Sequence, residues 1–272
     1  MSALASASAR SDPLVRSGVV LLAAPCPATN VVFHALTEAF GDVTVVLERP
    51  VPRTSLARRR LRTLGVATVA GQVLFTLAVV PVLARLGRKR IEGIAVEHNL
   101  DLSPVEGHTV SVPSVNSEEA RQVLRRLGPA VVVVCGTRII SASTLGCVDA
   151  TFINLHAGVA PQYRGVHGGY WALAEGHPEL AGATVHVVDR GIDTGPVVGQ
   201  ATFSPAARDS FATYPYLQLA GGVPMLVAAV RRLLSGRPLE PVAPLSTAGE
   251  SRLRTHPTLW GYLATRVRHS VA

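Results

Sequence analysis

Short runs of β-branched and apolar residues recur along the chain, each closed by turn residues. The first, at 17–24 (SGVVLLAA), has the continuous hydrophobicity of a strand covered on both faces, as parallel strands are. Residues 29–40 follow with a helical pattern, and 43–48 (VTVVLE) form the next strand. Residues 109–112, 130–135 and 151–155 continue the series with helical stretches between most of them. This alternation predicts an α/β fold with a doubly wound, mostly parallel, Rossmann-like sheet. Residues 183–188 and 197–203 read as two more strands, and a helical tail starts near residue 210. Pro215 and Pro224 predict more than one helix in that tail. At 272 residues and 48% apolar content, the chain can bury one large core. The expected organisation is a disordered polar lead-in at 1–16, an α/β domain at 17–205 and a helical C-terminal extension at 206–272.

One stretch breaks the rhythm. Residues 53–100 run from a basic segment (RTSLARRRLRTLG) through an apolar one (VATVAGQVLFTLAVVPVLARLG) to RKRIEGIAVEHNL. The apolar part approaches the length that spans a bilayer, with arginines at both ends. Strands of one sheet precede and follow it, however, so a crossing here would put two parts of that sheet on opposite sides. Gln72 and Pro81 weaken a spanning helix further. The expectation is a helical insertion packed on the domain or on a second subunit, with peripheral membrane contact as the alternative.

The formal charge of +8 and pI near 10.2 would suit an anionic partner. Of 26 basic residues, though, only Lys89 is lysine. A chain-wide replacement of lysine by arginine reads as coding bias more than as one anion site, and no nucleic-acid partner is expected. It also disfavours Schiff-base chemistry and lysine phosphate clamps. Cys26, Cys135 and Cys147 are odd in number and lack CxxC spacing, which disfavours disulfides and structural zinc. The N-terminus has no apolar core of the signal-peptide kind. A cytoplasmic setting is expected. The histidines show no metal-ligand spacing, and no metal is expected.

The chemistry concentrates between residues 131 and 200. VVVVCGTRIIS, INLHAGVAPQYRG and VHVVDRGIDTGPVVGQ each run a strand into a polar loop. In open α/β sheets such loops, beyond the carboxyl ends of the strands, form the active site. Asn154 and His156 are two apart and share one face of a strand. An amide can stabilise an oxyanion, a histidine can shuttle a proton, and Asp193 can orient and charge-stabilise that histidine. Those are the parts that acyl transfer to an amine requires. By spacing alone, a histidine at a strand end is more often structural than catalytic, and His186, mid-strand, reads as a core or sheet-face residue.

NLHAGVAPQYRGVHGGYWAL followed by GATVHVVDRGIDTGPVVGQ resembles the formyltransferase family, which includes glycinamide ribonucleotide, methionyl-tRNA and sugar-nucleotide formyltransferases and formyltetrahydrofolate deformylase. The resemblance places catalytic roles on Asn154, His156 and Asp193. It implies 10-formyltetrahydrofolate as co-substrate, its pterin held by backbone groups around Arg138, Ile139 and Ile140. Asp189 to Asp193, with Gly191, would form the opposite wall. Ile139 and Ile140 also read as simple core. Thr29, Asn30, Arg164, His167 and Tyr170 are candidates for the acceptor site, the last two serving equally well to dock a helix.

The chain departs from the family pattern in two places. A common serine after the catalytic histidine is replaced by Ala157–Gly158. The first loop, Ala24 to Asn30, carries two prolines where purine-pathway relatives hold a phosphate on glycine-rich backbone, which removes two N–H donors. A glycinamide ribonucleotide acceptor is therefore not expected. With about 70 residues after the sheet, a role in translation initiation is not expected either. The implied activity is N-formyl transfer to a small-molecule amine, such as a sugar nucleotide or a specialised-metabolite building block. Formyltetrahydrofolate hydrolysis, folate-free condensation or cyclisation on the same scaffold, and a non-catalytic membrane-attached or partner-binding scaffold are the alternatives. The apolar insertion suggests a homodimer surface.

Overall fold

The computed structural model describes residues 18–247 and 250–269; the lead-in expected at 1–16 lies outside the described residues. Strand β1 (Val19–Ala23) leads to helix α1 (Pro27–Phe40) and β2 (Val43–Glu48). The insertion follows as α2 (Arg53–Leu64), α3 (Val66–Leu74), a π-helical turn at Phe75–Val79, and α4 (Val80–Glu97). The chain continues through β3 (Thr109–Val112), α5 (Glu118–Leu127), β4 (Val131–Cys135), α6 (Ala142–Leu145) and β5 (Thr151–His156). Next come β6 (Tyr163–Gly165), α7 (Gly168–Ala174), β7 (Gly182–Val187), β8 (Val197–Thr202), α8 (Tyr214–Leu234), β9 (Arg252–Arg254) and α9 (Leu259–His269).

Seven strands form one sheet in the order β3-β2-β1-β4-β5-β7-β8. The first five are parallel, β7 runs antiparallel to β5, and β8 antiparallel to β7. The α/β architecture expected from the strand rhythm is therefore present. Val19, Leu21 and Ala23 pack under α1 and α8, while Val20 and Leu22 pack on the opposite face against α5. Burial on both faces accounts for the unbroken apolar runs, because a strand with helices above and below has no solvent side. Each such valine or leucine contributes roughly 1.5–3 kcal/mol of transfer free energy. Helix α5 shows the local rules at work: Ser117 accepts the Ala120 N–H at its start, Glu118 and Glu119 oppose the helix dipole, and Gly128 ends it in a left-handed conformation.

The strand order reverses between β1 and β4. Loops leaving neighbouring strands diverge there and open a crevice, bounded by residues 24–26 and 136–141. The tail from 206 is built into this body, since Leu219, Val223, Leu226 and Val230 of α8 cover the sheet. Pro224 lies inside α8 without ending it. The second expected helix is α9, separated from α8 by a segment whose β9 pairs with β6. A second core joins the insertion to the domain through Phe75, Leu83, Tyr163, Tyr170, Phe211, Tyr214 and Tyr262.

Candidate active site

Asn154 and His156 stand at the carboxyl end of β5. Asn154 is in register with Val134 on one side and His186 on the other, and His156 with Thr184. The crevice edge is thus one strand away. Thr184 accepts the Ala160 N–H and donates to the Gly158 carbonyl, at 3.0 and 2.7 Å, and Gln200 donates to the Ala160 carbonyl at 2.6 Å. This buried network fixes the loop after His156. His156 donates its Nε2–H to the Tyr163 carbonyl at 2.7 Å, which turns Nδ1 toward Asp193, 3.4 Å from Oδ2.

Asp193 lies in the loop between β7 and β8 with a left-handed backbone, φ 51°, a conformation that Asp and Asn tolerate better than most residues. Its loop closes on itself through Asp189, whose carboxylate accepts from the Gly191 N–H at 2.9 Å and from the Thr194 hydroxyl at 2.9 and 3.0 Å. A β-carbon at Gly195 would come within 1.8 Å of the Val187 carbonyl oxygen, so glycine there permits the turn. The Gly165 N–H donates to Asp193 Oδ2 at 2.8 Å. Arg164 binds the Ile192 carbonyl at 3.2 Å and Ser251 at 2.9 Å, pinning the loop to the C-terminal segment.

His186 completes the group. Its Nδ1 donates to the Val187 carbonyl at 2.9 Å, and its Nε2 lies 3.1 Å from Asn154 Nδ2 and 3.6 Å from Asp193 Oδ1. A neutral ring accepts from Asn154; a protonated one would instead donate toward Asp193. The reading of His186 as a sheet-face residue omitted this link, because it arises only from the antiparallel register of β5 and β7. That register could not be inferred from periodicity.

The charges of the cluster are coupled. Burial acts to raise the Asp193 pKa, but contact with His186, the charge of His156 and the Gly165 N–H outweigh it and hold the carboxyl below its ordinary value. For His156 burial is the largest influence and pushes the pKa down, with Asp193 and the Tyr163 carbonyl opposing it incompletely. The resting pair is therefore a carboxylate beside a neutral imidazole whose Nδ1 lone pair faces it. A proton arriving at Nδ1 converts that arrangement into an ion pair. This is the property required of a group that collects a proton from an attacking amine.

The other sequence candidates divide by environment. The loop after β4 is braced by the buried Glu48, which accepts the Arg138 N–H at 2.7 Å and the Val115 N–H at 3.2 Å. Asn116 accepts the Ser141 N–H at 2.7 Å and donates to the Ile139 carbonyl at 2.9 Å. The Arg138 guanidinium folds back onto Glu48 and the Arg49 carbonyl. Ile140 is core, while Ile139 is half exposed on the rigid loop. Neither Glu48 nor Asn116 carries a local sequence signal for this bracing; both act across the sheet edge. Thr29 is buried, donating to the Ala24 carbonyl at 2.6 Å and touching Cys26 and Cys135, and Asn30 donates to the Leu102 carbonyl at 3.2 Å. His167 lies 3.0 Å from His256, and Tyr170 is buried against Phe211 and Tyr262. A groove of about 550 Å³ bordered by Glu38, His98, Pro224 and Arg231 is formed by none of these residues.

Fold and site together define an α/β protein with an amide, two imidazoles and a carboxylate convergent at the carboxyl edge of its sheet, a set suited to acyl transfer. The Formyl transferase family model matches residues 68–216, more than half of the chain. The chain belongs to the formyltransferase family. A methionyl-tRNA formyltransferase of Anaeromyxobacter dehalogenans strain 2CP-C is 31% identical over 170 residues, covering 61% of this chain and 54% of that protein. The chain spans about half the length of the curated relatives it matches. Among solved structures, glycinamide ribonucleotide transformylase 1 from Symbiobacterium toebii superimposes with a TM-score of 0.53 at 19% identity, over 80% of this chain and 88% of that one. An N-formyltransferase of Helicobacter canadensis, solved with folinic acid and dTDP-3-aminofucose, gives 0.51 at 12% identity, over 89% and 71%. These likenesses carry the fold.

Proposed function

We propose that this protein transfers a formyl group from 10-formyltetrahydrofolate to the amine of a small molecule, a sugar nucleotide or an amine-bearing metabolite building block. The observation that carries the reading is the convergence of Asn154, His156 and Asp193, with His156 Nδ1 3.4 Å from the carboxylate, in a member of this family. The residues present fit a folate. Two loops braced from behind, 136–141 by Glu48 and Asn116 and 189–194 by Asp189, offer walls that need no ordering on binding, and Ile139 presents an apolar surface to a flat ring. When bound, the folate supplies an activated formyl carbon. Asn154 offers N–H groups to the oxygen on which negative charge develops. His156 would take the proton of the attacking amine at Nδ1, with Asp193 stabilising the imidazolium so formed, and would return that proton to the folate nitrogen as its bond to the formyl carbon breaks and tetrahydrofolate leaves. The Helicobacter relative, solved with a folate analogue and an amino-sugar nucleotide, supports this acceptor class.

The reading is tested by calorimetry with 5-formyltetrahydrofolate, followed by mass spectrometry of a panel of amino-sugar nucleotides and other amines incubated with 10-formyltetrahydrofolate. Saturable binding and a formylated product are expected. A folded protein that binds no folate and formylates no amine refutes the proposal.

A further inference from the structure

The insertion leaves one side uncovered. Val66–Glu97 is one long apolar helical run, interrupted only by its π turn, and little of its most apolar window is buried. Val69, Gln72, Phe75 and Leu83 face the domain. Val66, Val73, Leu74, Leu77, Val82 and Leu86 face outward, with Val66, Leu77 and Leu86 at 72%, 71% and 76% exposure. Val66 and Val73 are two turns apart, Leu77 follows four residues on, Val82 five residues on across the π turn and Leu86 four more, so they form a stripe about 30 Å long at 1.5 Å per residue. Helix α9 lies alongside: its Trp260 packs so closely on Gly71 that a β-carbon there would come within 2.5 Å of the ring. Half-exposed Trp260 and Leu263, with Val267, extend the apolar surface.

The charge around this surface is one-sided. Residues 49–91 contain ten Arg or Lys and no Asp or Glu, and 251–272 contain four Arg and no acid. The whole chain carries +8, these segments carry +14, and the remainder is therefore −6. Arg58, Arg62, Arg85, Lys89 and Arg266 are exposed, as is Arg88, which lies 3.8 Å from Glu92. A chain-wide preference for arginine over lysine does not account for the absence of acids from two segments distant in sequence that fold against each other.

We infer that this face docks on an anionic lipid bilayer, the apolar stripe and Trp260 entering the headgroup boundary and the arginines binding lipid phosphates. A transmembrane arrangement is incompatible with the fold. The insertion joins β2 and β3, adjacent parallel strands of one sheet. Its inner side is tied down by Gln72, which donates to the His256 carbonyl at 2.8 Å, and by Arg90, paired with buried Asp209 at 2.8 Å. A second copy placed symmetrically on the same face would bring two predominantly basic surfaces together, a repulsive arrangement. The surface shares none of Asn154, His156, His186 or Asp193, so docking and catalysis fail independently.

The test is flotation of the full chain with vesicles of phosphatidylcholine alone and of phosphatidylcholine containing about 30 mol% phosphatidylglycerol, an anionic lipid. Flotation with the anionic vesicles, reduced at least about tenfold by raised salt or by L77E combined with L86E, is expected. Trp260 fluorescence should be quenched by brominated lipid and the quenching lost in W260F, a readout that survives if the glutamate variant folds poorly. Absence of flotation and quenching overturns the inference. So does a solution dimer that the glutamate pair dissolves in the absence of flotation, which would assign the face to a second copy.

Discussion

Replacing Asp193 with Asn isolates the charge of the site from its shape. Asparagine tolerates the left-handed backbone at 193 and keeps an oxygen for the Gly165 N–H, whereas alanine would add about 1–2 kcal/mol of backbone strain and confuse the result. What D193N removes is a carboxylate 3.4 Å from His156 Nδ1. At that distance, and an effective dielectric near 20, unit charges attract by about 5 kcal/mol. Asp193 is 12% exposed, and partial screening reduces this to roughly 2–3 kcal/mol of lost imidazolium stabilisation. At about 1.4 kcal/mol per tenfold, turnover should fall on the order of 10²-fold with little change in melting temperature. The His156 pKa, already lowered by burial, should fall further because the opposing charge is gone. Histidine NMR titration reads that change without an acceptor, and kinetics with the identified amine read the rate. An unmoved His156 titration together with turnover within about threefold of wild type would refute the electrostatic argument.

Three further outcomes are expected. Gly158→Ala would place a β-carbon 2.3 Å from the Tyr163 carbonyl and 2.6 Å from His156 Nε2, so it should destabilise the protein by about 1–3 kcal/mol in urea titrations and displace the His156 ring. Burial lowers the pKa of His167 to about 3 and of His256 to about 4, so between these values and about 6.5 the unfolded chain binds more protons than the native one. That contribution to stability is complete above pH 6.5 and is lost as the pH falls; H167F combined with H256F should flatten the decline of melting temperature between pH 7 and 5. Cys26, at the start of α1, is held at a pKa of about 5 by hydrogen bonds from Cys135, Thr29 and the helix amides, against the opposing effect of burial. Iodoacetamide at pH 6–7 should label Cys26 well ahead of Cys135, whose thiol is pushed up by the same bond and by burial, as mass mapping would show.

The strand runs, the Asn-x-His pair and the Asp-Thr-Gly loop were legible in the sequence because each is a local pattern: a strand buried on both faces must be apolar throughout, and two residues two apart on a strand share a face. His186 needed the cross-strand register of β5 and β7 to reach Asn154 and Asp193. Glu48 needed the adjacency of β2 and β3 and the placement of the loop after β4 to brace it. Pro224 reads locally as a helix breaker, yet Val223 and Leu226 on either side are buried on the sheet, and that packing keeps α8 whole. The apolar length of 66–97 was equally plain, but hydropathy alone assigns no inward or outward side. Only the fold, by spending Phe75, Leu83 and Gln72 on the domain, decided which face remained exposed. Local chemistry determined the elements and the polar groups at the end of β5; long-range packing, which no window of sequence contains, decided their neighbours.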